Sequence, residues 1–181
     1  MDKTLKKVSK GLLWGIGSLI AAAAALIAGW IAYSRKFISH KLSLGKALEA
    51  DRVEMVSDRA GRLSYYQDTE GSGTPLVLLH SINAAASAFE MKPIFEALRS
   101  DRPVYALDLP GYGFSERTDR LYSPQLYQNA VTDFLRQVVG KPADVVALSL
   151  SCEFAALAAA HHPDHFRSLT MISPTGFKPP Q

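Results

Sequence analysis

The sequence has few of the residues and patterns that mark disulfide-bonded, metal-binding or repeat proteins. Its 181 residues include one cysteine. An internal disulfide is therefore excluded, and there is no Cys-x-x-Cys metal or redox pattern. No internal repeat is present either. We predict no metal site and no cofactor.

Acidic residues are scarce in the first quarter of the chain. Residues 1–46 contain eight Lys or Arg and one Asp, whereas residues 47–181 contain twelve Lys or Arg and sixteen Asp or Glu. The basic excess thus flanks an uncharged segment and is not spread over the chain. The net charge of +3 gives no support for nucleic-acid binding, and we predict no nucleic-acid partner.

Residues 11–33 contain no charged side chain. As a helix, this segment would be roughly 34 Å long, enough to cross a hydrocarbon core of about 30 Å. We predict a transmembrane helix over 11–33 and a single-pass membrane location. A basic tail (1–10) precedes the helix, and a juxtamembrane linker (34–51) follows it, with a short interfacial helix expected over 42–50.

Two other interpretations of residues 11–33 stay open. A signal peptide would also begin with basic residues, but this apolar run is longer than a usual signal core and no good Ala-x-Ala site follows it. A buried core helix would be unusual without a polar face. The membrane orientation is not decided, because four basic residues lie on each side of the segment.

From residue 52 onward, predicted strands alternate with predicted helices. A hairpin over 52–66 comes first. Ser123-Pro124 is typical of a helix start and Gly140 of a helix end. The pattern predicts an α/β fold with a mainly parallel sheet. Further strands are predicted at 76–80, 104–108, 145–148 and 169–173, and helices at 89–98, 123–139 and 152–161.

One serine lies where a predicted strand turns into a helix. Residues 145–147 are apolar, which suits a buried strand, and residues 154–160 are mostly Ala and Leu, which favour a helix. Ser149 between them would project from the sheet. Its spacing matches the Gly-x-Ser-x-Gly nucleophile elbow, with Ala147 and Ser151 in place of the glycines. Taken alone, the pattern also fits a helix N-cap serine.

Two further motifs end predicted strands. His80-Ser81-Ile82-Asn83 follows the first apolar strand, and Asp-Leu-Pro-Gly-Tyr-Gly-Phe-Ser occupies 108–115 at the end of the next. Loops at the carboxyl ends of parallel strands form the active crevice of open α/β sheets. We therefore expect these motifs and Ser149 to form one site.

In this order, the three motifs resemble the α/β-hydrolase superfamily, and the resemblance runs from about residue 52 to the end. The Asp-x-Pro-Gly-x-Gly-x-Ser match over 108–115 is complete. Ser81, Ala147 and Ser151 stand where the family has glycine. They are small, but they lack the freedom of glycine at positive φ.

The resemblance implies a serine hydrolase that cleaves an ester or related acyl bond of a small-molecule or lipid-like substrate. By position, Ser149 would be the nucleophile. The backbone N–H of Leu150 and that of Ile82 would form the oxyanion hole, with Asn83 as the alternative to Ile82. The supporting positions, expected to shape loops and not to touch substrate, are His80, Asp108, Gly111 and Gly113.

The sequence after Ser149 offers no convincing triad acid or histidine. In the family, these follow the serine well downstream. The residues present, among them Glu153 and His161, belong to the next helix and its end. We therefore expect 52–181 to be a partial hydrolase domain, inactive alone, from a longer enzyme. The alternatives are a non-catalytic scaffold at the membrane, or a hydrolase-fold enzyme of different chemistry, such as a haloperoxidase-like or C–C bond hydrolase.

Overall fold

The structure, a computed structural model, describes the backbone of residues 3–38 and 44–176, with side chains from residue 14 onward. The chain divides between residues 43 and 44 into two compact units. The first contains a single helix, and the second contains a six-stranded sheet with its flanking helices.

Helix α1 (Lys3–Phe37) contains a segment, Trp14–Phe37, that is long and apolar enough to cross a membrane by length and composition. Its large side chains are exposed, with Trp14 at 81% and Leu26 at 76%. This exposure argues against a buried core helix, whereas an anchor and a signal sequence are both compatible with it. The helix extends beyond the predicted span on both sides, and the predicted domain boundaries remain predictions.

The short helix expected within the linker is absent over 44–50, where the chain forms bends; residues 42 and 43 lie outside the described part. Leu48 is buried in the core of the sheet unit. The N–H of Ala47 donates to the Tyr66 hydroxyl at 3.0 Å. Packing of Leu48 and the bond to Tyr66 therefore replace the helical hydrogen bonds that this segment would otherwise form.

The sheet is mainly parallel, as predicted. Its strand order is β1-β2-β4-β3-β5-β6. Strands β3 to β6 are parallel, whereas β2 is antiparallel to both of its neighbours, β1 and β4. The edge strand β6 is largely exposed, whereas β3 and β4 are fully buried. The strands are β1 (Asp51–Ser57), β2 (Gly61–Asp68), β3 (Leu76–Leu79), β4 (Val104–Asp108), β5 (Ala143–Leu148) and β6 (Phe166–Ile172).

Helices cover both faces of the sheet. They are α2 (Lys92–Leu98), α3 (Pro124–Phe134) and α4 (Ser151–His161). Side chains of a strand alternate between faces, so β3 contributes to two cores. Val77 and Leu79 pack with residues of α3 and α4, and Leu76 and Leu78 pack with Phe95 of α2. A parallel strand covered on both sides explains the uninterrupted apolar run over 76–79.

Two of the predicted helices are interrupted. The helix expected over 89–98 begins as a 3-10 turn (Ala88–Met91) and continues as α2, with Pro93 in its first turn, where the missing N–H costs no hydrogen bond. The helix expected over 123–139 is α3 followed by one π-helical turn (Leu135–Val139). It ends at Gly140, whose φ of 66° closes the helix in the left-handed conformation.

A group of ionic hydrogen bonds holds the start of β5 to its neighbours. The carboxylate of Asp144 accepts two bonds of 2.7 Å from Arg167, one of 2.6 Å from Ser168 and one of 2.5 Å from Arg102. The bonds from Arg167, with those from Ser168 and Arg102, hold the pKa of Asp144 well below its ordinary value.

This lowered pKa predicts an acid-dependent loss of stability. Asp144→Asn should lower the free energy of unfolding near pH 7 by about 1.5–3 kcal/mol, because charge-assisted hydrogen bonds are lost. A carboxylate whose folded pKa is lowered stabilises the fold above its unfolded pKa of about 3.9, and the stabilisation is lost as pH falls further. The difference between wild type and variant, measured by urea unfolding in detergent micelles, should therefore shrink towards about pH 2.

Asp119→Asn is the matched control, since Asp119 is exposed and the substitution is chemically identical. It should leave the unfolding free energy unchanged at both pH values. If Asp144→Asn lowers the free energy of unfolding by the same amount at neutral and at acid pH, the ionised Asp144 carboxylate is not the source of the stabilisation.

Candidate active site

The junction between β5 and α4 has an unusual backbone conformation. Ser149 has a φ of 58°, and in the described residues only one other non-glycine residue, Ser173, has a positive φ. The left-handed conformation costs a residue with a side chain roughly 1–2 kcal/mol. Ser149 is partly exposed, and its N–H donates to the carbonyl of Ile172 at 2.9 Å. The chain therefore turns abruptly from strand to helix at a serine that is accessible and strained.

The residues two positions either side of Ser149 are buried and small. Ala147 is completely buried, and Ser151 is 1% exposed. Neither has a positive φ, so their positions require small size but not the conformational freedom of glycine. The hydroxyl of Ser151 donates to the carbonyl oxygen of His80, which ties the elbow to the end of the neighbouring strand.

The segment after β3 lies beside the elbow. Leu79 pairs with Ala147 in the parallel register of β3 and β5, so the residues that follow both strands leave the same edge of the sheet. Ile82 and Leu150 pack against the same hydrophobic core. Among residues 44–176, no hydrogen-bond acceptor is found for the N–H of either. A free backbone donor thus lies on each of two segments that leave the same edge of the sheet.

His80 is completely buried and both of its ring nitrogens are bonded. Nδ1–H donates to the carbonyl of Ser81 at 2.6 Å, and Nε2 accepts from the N–H of Leu109 at 3.0 Å. Burial lowers the pKa of His80, which favours the neutral ring. With no nitrogen free to accept a proton, His80 links the end of β3 to the end of β4.

The motif over 108–115 forms a tight turn about a buried carboxylate. Asp108 accepts from the N–H of Ala88 at 2.9 Å and from that of Phe114 at 3.0 Å, while burial raises its pKa. Gly113 has a φ of 50°, and a Cβ there would lie 2.0 Å from the Asp108 carboxyl carbon. Gly111, with a φ of 86°, lies against the ring of Tyr122. Only glycine fits at either position.

A cavity of about 630 Å³ lies between the loop after β3 and the loop after β4. Its lining is partly polar and partly apolar, and it includes Arg117, whose Nε–H donates to the carbonyl of Gly111 at 3.1 Å. Burial is the main cause that raises the pKa of Tyr127, on its wall, to about 12. The residues that line it are Leu44, Asn83, Ala84, Ala85, Ala86, Ser87, Gly111, Tyr112, Gly113, Arg117, Tyr122 and Tyr127.

A carboxylate that sequence reasoning missed lies against the segment after β3. Glu90 accepts from the N–H of Ser81 at 2.8 Å and from the side-chain amide of Asn83 at 2.8 Å. It lies in the 3-10 turn before α2, eleven residues beyond the end of that strand. No spacing rule connects a single glutamate on a short turn with a loop nearby in sequence, so only the tertiary contacts reveal it.

In the described residues, no histidine other than His80 approaches the elbow. His161 ends α4, about 15 Å along the helix from its start, and its Nδ1 is 2.6 Å from the side-chain amide of Gln128. His162 and His165 lie in the turn beyond it. The described residues also contain no group of three or more His, Cys, Asp or Glu placed to hold a metal ion.

The sheet order, the strained serine and the loops at the strand ends define an α/β-hydrolase architecture. A family model for the alpha/beta hydrolase fold matches residues 74–181, more than half of the chain. The protein therefore belongs to the α/β-hydrolase fold family.

Individual relatives cover part of the chain. A pimeloyl-[acyl-carrier protein] methyl ester esterase of Chromobacterium violaceum is 32% identical over 111 residues, which are 61% of this chain and 41% of the esterase. A 2-hydroxymuconate semialdehyde hydrolase of a Pseudomonas species is 28% identical over 108 residues, 59% of this chain and 38% of that enzyme. The chain thus spans about two fifths of the length of these relatives.

A solved structure shows a similar fold. A bacterial membrane phospholipase A superposes with a TM-score of 0.65, covering 100% of this chain and 55% of the phospholipase at 23% sequence identity. At this identity the likeness shows the fold alone.

The strain at Ser149 predicts that glycine is more stable than alanine at this position. Ser149→Gly should be more stable than Ser149→Ala by about 1 kcal/mol, because glycine adopts the left-handed conformation without a Cβ clash. At the exposed helical position Ala160, replacement by glycine should instead cost about 0.5–1 kcal/mol. Thermal or urea unfolding measures both differences. Equal stability of the two Ser149 variants would contradict a strained elbow.

Proposed function

We propose that the protein is a membrane-anchored serine hydrolase that cleaves an ester or related acyl bond, with Ser149 as its nucleophile. The observation that supports this most is the positive φ of Ser149 at the β5–α4 junction. Strained residues persist where the surrounding structure enforces them, and they cluster at active sites. A serine that served only as a helix cap would have an extended backbone conformation, as Ser123 has before α3.

The oxyanion would be stabilised by the N–H of Leu150 and that of Ile82, with Asn83 as the alternative to Ile82. When the Ser149 hydroxyl attacks an acyl carbonyl, the carbonyl oxygen becomes negatively charged. Two fixed N–H groups stabilise this charge without reorganising, and loss of one such donor costs about 2.7–4 kcal/mol. Support comes from the absence of any acceptor for the Ile82 and Leu150 donors in the described residues.

The reaction would then proceed through an acyl-enzyme. Collapse of the tetrahedral intermediate breaks the bond to the leaving alcohol or thiol, and water later attacks the acyl group and regenerates the Ser149 hydroxyl. Both steps need a base for proton transfer and a carboxylate to orient it. His80 cannot serve because both nitrogens are bonded. We propose that the triad acid and histidine belong to a longer form of the chain.

The apolar segment Trp14–Phe37 would hold the enzyme at a membrane. A lipid-like acyl substrate is consistent with this location. Two alternative functions remain: a non-catalytic binding or scaffold protein with the same anchor, and a hydrolase-fold enzyme of different chemistry, haloperoxidase-like or a C–C bond hydrolase. The second has a specific observation in its favour, since one relative is named a semialdehyde hydrolase.

Ser149 dependence separates these possibilities. Purified residues 1–181 should hydrolyse p-nitrophenyl esters no faster than their Ser149→Ala variant, since no base in the described part of the chain reaches the serine. A longer natural form should be labelled covalently by a fluorophosphonate, and Ser149→Ala should abolish the labelling while a control, Ser100→Ala, retains it. Ser100 is an exposed serine beyond α2.

Each result has a clear opposite. Ser149-dependent turnover by residues 1–181 would show that the base lies within them. A longer form that folds but is not labelled would contradict the serine hydrolase. Unchanged biological activity of Ser149→Ala would favour the scaffold.

The anchor predicts retention in membranes. Expressed in cells, the chain should stay in the membrane pellet after alkaline carbonate extraction. Its intact mass, measured by mass spectrometry, should show that the N-terminal segment has not been cleaved off. Ala22→Arg combined with Leu26→Arg should release it, because each charge near the middle of a span costs about 3 kcal/mol. Ile38→Arg, at the helix end, is the matched control and should not. A shortened mass would identify a signal peptide instead.

A further inference from the structure

We infer that Glu90 is the positioning residue of the oxyanion hole: it holds the segment 81–83 in the conformation that leaves the Ile82 N–H free to bind the oxyanion. The inference rests on the proposed function and assigns a role to a residue outside the three motifs. The carboxylate of Glu90 accepts hydrogen bonds from three donors of this segment.

Glu90 bonds to the residues on both sides of Ile82. Oε2 accepts from the N–H of Ser81 at 2.8 Å. Oε1 accepts from the Ser81 hydroxyl at 3.0 Å and from the Asn83 side-chain amide at 2.8 Å. That amide also donates to the Ser81 hydroxyl at 2.7 Å. The carboxylate therefore fixes the backbone before Ile82 and the side chain after it.

The loop beyond is held by the same network. Oδ1 of Asn83 accepts from the N–H of Ala85 at 2.9 Å, and the carbonyl of Asn83 accepts from the N–H of Ala86 at 3.3 Å. The backbone N–H groups of Ser81, Ala85 and Ala86 have acceptors, whereas the three between them, of Ile82, Asn83 and Ala84, have none among residues 44–176. The network therefore holds the residues around Ile82 and leaves the N–H of Ile82 available.

Glu90 itself rests on a rigid base. It lies in the 3-10 turn Ala88–Met91, in which Ala88 and Met91 are buried. The N–H of Ala88 donates to the buried carboxylate of Asp108. The carboxylate of Glu90 is thus fixed to the core of the sheet, and a shift of the loop would require this turn to move.

The charge of Glu90 is used within the network. Burial raises its pKa, but the hydrogen bonds from Ser81 and Asn83 outweigh this and lower the pKa overall. An ionised carboxylate that accepts three bonds has no proton to donate, which excludes a general-acid role. A negative charge near a developing oxyanion would oppose the reaction. If Glu90 acts mainly by repulsion, its neutralisation should raise the rate, whereas if it positions the segment, its neutralisation should lower the rate.

The test compares Glu90→Gln and Glu90→Ala with Glu96→Ala. Glu96 is an exposed glutamate of α2 whose ion pair with Lys92 is 3.5 Å long. Hydrogen exchange by mass spectrometry is followed in residues 1–181 in micelles. In a longer form with Ser149-dependent turnover, kcat and KM are measured.

If Glu90 positions the segment, Glu90→Ala should speed hydrogen exchange over 81–86 and leave exchange in the β1–β2 hairpin unchanged. It should also lower kcat about 10- to 100-fold, since a displacement of about 1 Å can cost 10²-fold in rate. KM should change by less than about threefold, because the oxyanion forms only after substrate binds. Glu90→Gln should be intermediate, as its amide keeps one acceptor but presents a donor to Ser81 and Asn83. Glu96→Ala should match wild type in every measurement.

Unchanged exchange over 81–86 would overturn the inference. So would faster exchange with unchanged kcat, which would leave Glu90 a purely structural residue, or a rise in kcat for Glu90→Gln, which would indicate repulsion. If turnover in every form survives Ser149→Ala, the proposed function fails and takes the catalytic part of the inference with it. The exchange result would still decide whether Glu90 holds the segment.

Discussion

Ser149 keeps its left-handed conformation only because its neighbours on both sides are immobilised. Ala147 is buried in β5, and the Ser149 N–H is bonded to β6 through the carbonyl of Ile172. On the helical side, the Ser151 hydroxyl is bonded to the end of β3. These contacts reach both strands that flank β5, so the strained turn depends on the parallel pairing of three strands. The site is thus a product of the sheet, not of the local sequence.

Much of the fold could be predicted because its signals are local. Apolar runs marked the buried parallel strands, and a serine–proline pair and Gly140 marked the ends of one long helical stretch. What could not be predicted was set by tertiary packing. Residues 44–50 do not form a helix, and Leu48 is instead buried in the core. The last turn before Gly140 is a π-helical turn. Neither change has a periodic signature.

The site was predictable to a similar depth. The motifs ended neighbouring strands, and parallel strands bring their carboxyl ends to one edge, so the closeness of the β5–α4 junction to the end of β3 followed from topology. The bonds that complete the site did not. Ser151 and His80 are 71 residues apart in the chain, and Glu90 is a single carboxylate on a short turn. Contacts of this kind depend on side-chain directions that spacing does not determine.

Two of the three missing family glycines are replaced by serine, and in both cases the added hydroxyl is hydrogen-bonded within the protein. A serine in a tight loop adds a hydroxyl whose burial is costly unless it is bonded. Ser151 donates its hydroxyl to His80, and Ser81 directs its N–H and hydroxyl to Glu90. A glycine would leave the backbone free to move at these positions, whereas a bonded serine restrains it. The two serine departures from the family pattern therefore replace backbone freedom with hydrogen bonds, and Glu90 is the acceptor for the hydroxyl of Ser81.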